Sequence, residues 1–210
     1  MRLDHVSYAV APQELADTVQ RLGALLGSTF VDGGKHPSFG TRNFVLPVSG
    51  GIYVEVVTTL DHPATEQSAF AKAVKHRYEQ GGGWLGWVIA VDDISVVEGK
   101  LGRPAVEGHR RRPDGFDLQW KQIGVLDVIA DPHLPFFIQW LTDVSEHPSR
   151  NSTPLSISSL SLAGDKNTLD TYLGDEISVD KITLDWTQED ESGLVAVNFI
   201  LPNGQSVRVD

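Results

Sequence analysis

Leu3-Asp4-His5-Val6-Ser7-Tyr8-Ala9-Val10 and Ile52-Tyr53-Val54-Glu55-Val56-Val57-Thr58 are the two stretches that decide the fold. Each alternates with a period of two, as a strand with two unlike faces does. In the first, His5, Ser7 and Ala9 share one side, while Val6, Tyr8 and Val10 share the other. The second side is large and apolar enough to cover a helix, so His5 is expected on the opposite, inward side. By the same reading Tyr53, Glu55 and Val57 face inward and Ile52, Val54 and Val56 pack outward.

Between these strands the chain spells one unit. Pro12 stands near a helix start, Leu15, Val19, Leu22 and Leu26 follow at helical spacing, and Gly27 suits a left-handed C-cap. A strand over 29–32, a glycine-rich loop over 33–40 and a strand over 43–48 complete a β-α-β-β-β order. The order returns over 84–150. There the strands are expected at 85–91, 105–112, 116–125 and 135–141, with a short helix carrying Ile94, Val97 and Leu101 and closed by Gly102. It returns more faintly over 151–210. A strand over 155–162 precedes a helix with Leu169, Tyr172 and Leu173, and strands over 177–186, 194–201 and 206–209 follow. Repetition of one unit fixes the architecture. The organisation is a first module over 1–60, a connecting helix and glycine linker over 61–83, a second module over 84–150 and a third over 151–210. Gly81-Gly82-Gly83 precedes a strand and opens no helix, so it is no phosphate loop, and no nucleotide cofactor is expected.

The 210 residues carry 17 basic and 28 acidic side chains, a net charge of −11. That charge disfavours nucleic acid and anionic lipid as partners. Residues 151–210 hold 3 basic and 10 acidic side chains, against 14 and 18 over 1–150, so the third module is the more acidic. No cysteine is present, which excludes disulfides, a thiol nucleophile and thiolate metal sites. No apolar run approaches a membrane span and no secretory leader is visible, so a cytoplasmic location is expected.

Several stretches carry a resemblance. Leu3-Asp4-His5-Val6, Gly33-Gly34-Lys35-His36-Pro37 with Gly40-Thr41-Arg42-Asn43, Tyr53-Val54-Glu55, and Gly108-His109-Arg110-Arg111-Arg112-Pro113-Asp114-Gly115 resemble the glyoxalase-like domain family of bacteria. That family lies within the vicinal-oxygen-chelate superfamily of glyoxalases, ring-cleaving dioxygenases and bleomycin-resistance proteins. The resemblance implies an α+β fold in which two β-α-β-β-β modules form a half-open, barrel-like cup with helices outside. It also implies a metal, when present, at the cup centre, held from the first and last strands.

Register supplies the candidates. His5 and Glu55 can hold a divalent Zn, Ni, Mn or Fe ion, and aligning 135–141 with 51–57 offers Gln139 as a third ligand. The alternative is a buried His5–Glu55 pair in a metal-free pocket. His36 is a candidate base, ligand or substrate contact. Ser7, Asn43, Tyr53, Arg110, Trp120 and Phe137 are candidate substrate contacts, Phe137 because it shares the register of Gln139. Arg110, Arg111 and Arg112 can bind a carboxylate or phosphate by a bidentate fork, or pair with Asp114 and Asp117. His62, His76, His133 and His147 receive no chemistry, and Ser38 sits in no nucleophile elbow. Three function classes remain. One is a metal-assisted isomerase, lyase or dioxygenase acting on a small oxygenated metabolite, and another is a metal-free binding protein of bleomycin-resistance type. The third is a scaffold in which the third module pairs across a homodimer for want of an internal partner.

Overall fold

The computed structural model describes residues 1–174 and 182–210. The first module runs β1 (Arg2–Ala9), α1 (Leu15–Leu26), β2 (Val31–His36), β3 (Thr41–Val48) and β4 (Ile52–Thr59). Leu15, Leu22 and Leu26 bury one stripe of α1, and Gly27 ends it at φ 60°, where its N–H reaches the last free carbonyls. The connecting helix is α2 (Ala69–Glu79), capped by the Ser68 hydroxyl. The second module contains β5 (Gly83–Ala90), α3 (Ser95–Leu101), β6 (Val106–Arg111), β7 (Asp117–Ile123), a one-turn α4 (Asp127–Ala130) and β8 (Phe136–Trp140). The third contains β9 (Ser156–Ala163), α5 (Lys166–Leu173), β10 (Thr183–Thr187), β11 (Gly193–Ile200) and β12 (Ser206–Val209).

Eight strands close into a barrel in the order β1-β4-β3-β2-β6-β7-β8-β5. Within the first module β1 runs parallel to β4, which sets His5 beside Tyr53 and Ser7 beside Glu55. The modules meet at two seams. One is the long antiparallel pairing of β1 with β5, and the other joins β2 to β6 at Lys35↔Arg111. The second seam closes the cup that the resemblance implied as half-open.

Some expectations change. The stretch expected as a loop over 33–40 is half strand, because β2 runs to His36 and the turn occupies only 37–40. A single helical turn, α4, interrupts the stretch between the strands of the second module. The strand expected over 177–186 lies partly outside the described residues and is seen from Thr183.

The sheet β10-β9-β11-β12 packs on the outside of the barrel. Leu160, Leu162, Val197 and Phe199 share one apolar cluster with Trp84 and Trp87 of β5. The Trp84 indole donates to the Val209 carbonyl at 2.9 Å. The third module therefore has a partner within the chain, and the reason given for pairing across a dimer falls away. No helix among the described residues is long and apolar enough to cross a membrane.

Candidate functional site

The barrel interior gathers His5, His36, Asn43, Tyr53, Glu55, Arg110 and Trp120 around one cavity of about 30 Å³. Such a space holds a water or two, not a metabolite. Two wider crevices, of about 610 and 540 Å³, lie outside the barrel beside the third module and touch none of these residues.

A bulge builds the polar end of the site. On β1 the pairing with β5 jumps between Leu3 and His5, leaving Asp4 as the extra residue. Strict alternation would send Asp4 and His5 to opposite faces, but a bulge re-aims a side chain. Asp4 is fully buried, and its Oδ1 accepts from His5 Nδ1 at 2.7 Å. Its Oδ2 accepts from the Trp140 indole at 3.0 Å and from His147 Nε2 at 3.1 Å. The Ser149 amide donates to His147 Nδ1, which puts the proton of His147 on Nε2, toward Asp4. Burial alone would raise the Asp4 pKa. The hydrogen bonds from His147 and His5 outweigh burial and hold it well below the ordinary carboxylate value.

With Nδ1 donating to Asp4, His5 turns its other nitrogen to the cavity. Nε2 lies 3.9 Å from Glu55 Oε2, too far for a direct hydrogen bond. Tyr53 stacks on the imidazole, with ring centres 4.4 Å apart and planes at 17°. Burial raises the Tyr53 phenol pKa, and the charges of Asp4 and Glu55 add to it, so the phenol stays neutral. Ser7 donates to Glu55 Oε2 at 2.7 Å, and Asn43 donates to Oε1 at 2.5 Å.

Arg110 is the unusual member. Its side chain is buried, and one Nη donates to Asn43 Oδ1 at 3.1 Å. Among the described residues its Nε has no hydrogen-bond partner and no carboxylate lies within ion-pair distance. Burial lowers its pKa, against the pull of Tyr53 and Glu55, yet a guanidinium keeps its proton in proteins. A buried cation with five N–H donors, one of them donated to Asn43, is poised for an anionic oxygen. Gly33 makes the arrangement possible. A Cβ there would sit 2.1 Å from Asn43 Oδ1 and 2.8 Å from Arg110 Nη1.

His36 bonds Thr41 Oγ1 through Nδ1 at 2.7 Å, and the rings of Phe39, Phe70 and Trp120 meet it edge-on. Burial first, then the charge of Arg110, pushes its pKa well below the ordinary histidine value, so it is neutral. Trp120 lines the cavity and donates to Gln122 Oε1 at 2.8 Å. Of the other arginines, Arg112 pairs with Asp114 as expected, whereas Asp117 takes His109 instead.

Two expected site residues are elsewhere. Gln139 accepts from the Ile94 amide at 3.2 Å and donates to the Asp92 carbonyl at 2.9 Å, outside the barrel. Phe137 stacks on Tyr172 of the third module at 5.8 Å. The cavity-facing residues of β8 are Phe136, Ile138 and Trp140. A slip of one residue in register exchanges the two faces of a strand. The run Phe136-Phe137-Ile138 is apolar on both faces, so it carries no contrast from which register could be read. Sequence reasoning also missed Asp4, Gln122 and His147, because nothing in the local pattern announces a bulge or a contact across 143 positions.

The family model described as a glyoxalase-like domain matches residues 3–173. The chain belongs to the glyoxalase-like domain family. Its tandem-module barrel is of the vicinal-oxygen-chelate type. A hypothetical protein from Staphylococcus aureus shares the fold of this family member at a TM-score of 0.71 and 16% identity, covering 100% of this chain and 98% of that one. Methylmalonyl-CoA epimerase from Mycobacterium tuberculosis gives 20% identity and a TM-score of 0.43 over 66% of this chain and 86% of its own. A Streptomyces coelicolor methylmalonyl-CoA epimerase variant in complex with 2-nitronate-propionyl-CoA gives 19% and 0.45 over 68% and 99%. No curated protein matches the chain.

The metal that a glyoxalase-like resemblance implies does not fit this donor set. His5 and Glu55 remain, but Gln139 is absent from the cavity and Phe136 and Ile138 occupy its strand's inward face. Ser7 and Asn43 already engage both Glu55 oxygens, and the Arg110 cation stands behind Asn43. Among the described residues no three His, Cys, Asp or Glu side chains converge to hold an ion.

Proposed function

We propose that this protein is a small-molecule enzyme that moves a proton next to a carbonyl or carboxylate of an oxygenated metabolite, as an isomerase or lyase does. The observation that carries the reading is the orientation of His5. Asp4 holds its Nδ1–H, so the lone pair of Nε2 faces the cavity with Glu55 alongside. This is the arrangement of a general base steered by a carboxylate.

In the reaction the barrel widens to admit the reacting end of the substrate, since the closed cavity holds only a water or two, and His5 Nε2 takes a proton from the carbon beside the carbonyl. The electron pair moves onto the carbonyl oxygen, and the Arg110 guanidinium meets the charge that develops there. The imidazolium, stabilised by Asp4, returns the proton to the same or the neighbouring carbon. Glu55, held by Ser7 and Asn43, lines the path and stabilises the imidazolium across the gap. No step is routed through a metal.

The test is exchange of protons for deuterium at the carbon beside the carbonyl of a panel of 2-oxo acids, followed by NMR in heavy water. The expected result is catalysed exchange that falls more than a hundredfold in His5→Gln and is unaffected by a chelator. Exchange abolished by the chelator and restored by a divalent ion would move the function to metal-assisted chemistry. Tight binding without exchange would make the barrel a sequestering module.

A further inference from the structure

A second hollow, of about 440 Å³, adjoins the barrel site and shares Phe39, Phe70 and Gln122 with it as a common wall. Its size is that of a site for a small organic molecule, whereas the barrel cavity is far too small for one. Phe39 comes from the turn between β2 and β3, and Phe70 from the first turn of α2. Their rings stand 5.9 Å apart and close the partition. Thr65, shortly before α2, holds the turn that carries Phe39, since its hydroxyl shares its one proton between the carbonyls of Gly40 and Leu60. Behind the wall, Ile123 and Val125 give the hollow an apolar floor, and Val106 and Leu126 remain half-exposed at its mouth.

The wall is packed flush: a Cβ on Gly108 would come within 2.6 Å of Trp120 and 2.8 Å of Phe39, so a ligand passes only when the Phe39 and Phe70 rings turn aside. Gln122 accepts the Trp120 indole with its oxygen and keeps its amide NH₂ free of a partner among the described residues. A polar group therefore stands in the wall between the hollow and a buried guanidinium.

We propose that the hollow is the chamber for the apolar tail of a medium-chain carboxylate, whose head passes between Phe39 and Phe70 to be held by Arg110. The head is a carboxylate because, among the described residues, Arg110 is the one arginine or lysine lining the inner cavity, and Glu55 stands close by. A phosphate dianion would need a second cation. The tail is apolar because most of the hollow's surface is; of its charged lining residues, Arg103 is paired with Asp127 and Glu107 would repel a second carboxylate. The inference rests on the proposed function for the head-binding end only.

Octanoate, acetate and 1-octanol serve as probes, titrated calorimetrically into the full chain. Octanoate is expected to bind at one site, at least tenfold more tightly than acetate. Ala69→Phe, which fills the chamber, should weaken octanoate tenfold and leave acetate unchanged. Leu126→Asp, at the exposed mouth where folding is not at stake, should weaken octanoate in the same direction. Arg110→Gln should weaken octanoate and acetate but not 1-octanol. Octanoate binding no tighter than acetate, or undiminished in both chamber variants, overturns the proposal. His5→Gln should leave octanoate affinity within threefold. Loss of exchange without loss of octanoate thus reports on the base, and loss of octanoate alone reports on the chamber.

Discussion

Asp4→Asn tests the chemistry of the barrel most directly. The side chains are isosteric, so packing is kept. The amide oxygen can replace Oδ2 and still accept from Trp140 and His147. The amide NH₂ then takes the place of Oδ1, 2.7 Å from His5 Nδ1. Two donors cannot face each other, so His5 must move its proton to Nε2 and accept at Nδ1. Three bonds to an ionised acceptor become bonds involving a neutral amide, each weaker by roughly 1 kcal/mol, and the total destabilisation is about 3 kcal/mol. The effect on His5 is larger. Its cavity-facing nitrogen becomes a donor and ceases to be a base, and such a change behind a catalytic imidazole lowers turnover by about 10⁴. Long-range ¹H–¹⁵N NMR reads the tautomer without any substrate, urea unfolding reads the stability, and proton exchange reads the rate. A variant whose His5 keeps Nε2 unprotonated, or whose exchange rate equals the wild type's, would refute the steering role of Asp4.

Other outcomes follow from the same geometry. Stability should fall in two stages on acidification. His36 is held neutral in the fold, so stability is lost first as pH drops below about 6.5, where the unfolded chain takes up that proton. Asp4 is held ionised, so a second loss follows below about pH 4. Urea midpoints across pH, with His36→Gln removing the first stage alone, check both. Gly33→Ala should displace Asn43 from between Glu55 and Arg110, since the added methyl overlaps Asn43 Oδ1. Octanoate affinity is expected to drop about tenfold while the unfolding transition stays cooperative. Gln139→Ala should cost roughly 1–2 kcal/mol through its lost bonds to Asp92 and Ile94, with neither proton exchange nor metal content altered. Any loss of bound metal in that variant would return Gln139 to the site.

Local pattern determined a good deal of this protein. Helical stripes ending in Gly27 and Gly102 made the β-α-β-β-β units legible, because each glycine stands at a left-handed cap that other residues adopt at a cost. The inward placing of His5, Ser7, Tyr53 and Glu55 was legible too, because polar and apolar residues alternate on strands that have one face on helices and one on a polar cavity. Tertiary structure decided the rest. On β8 both faces are apolar, since one meets the barrel interior and the other the third module, so only the pairing Val88↔Phe136 sets the register that removes Gln139 from the site. The bulge at Asp4 exists because β1 must fit β5, a strand some eighty positions away. His147 and Arg110 acquire meaning only when closure of the barrel carries them to a carboxylate and an amide from the other module. Periodicity reports which face of one element is buried. Which distant groups meet on that face is set by strand pairing, and pairing is not a local property of the chain.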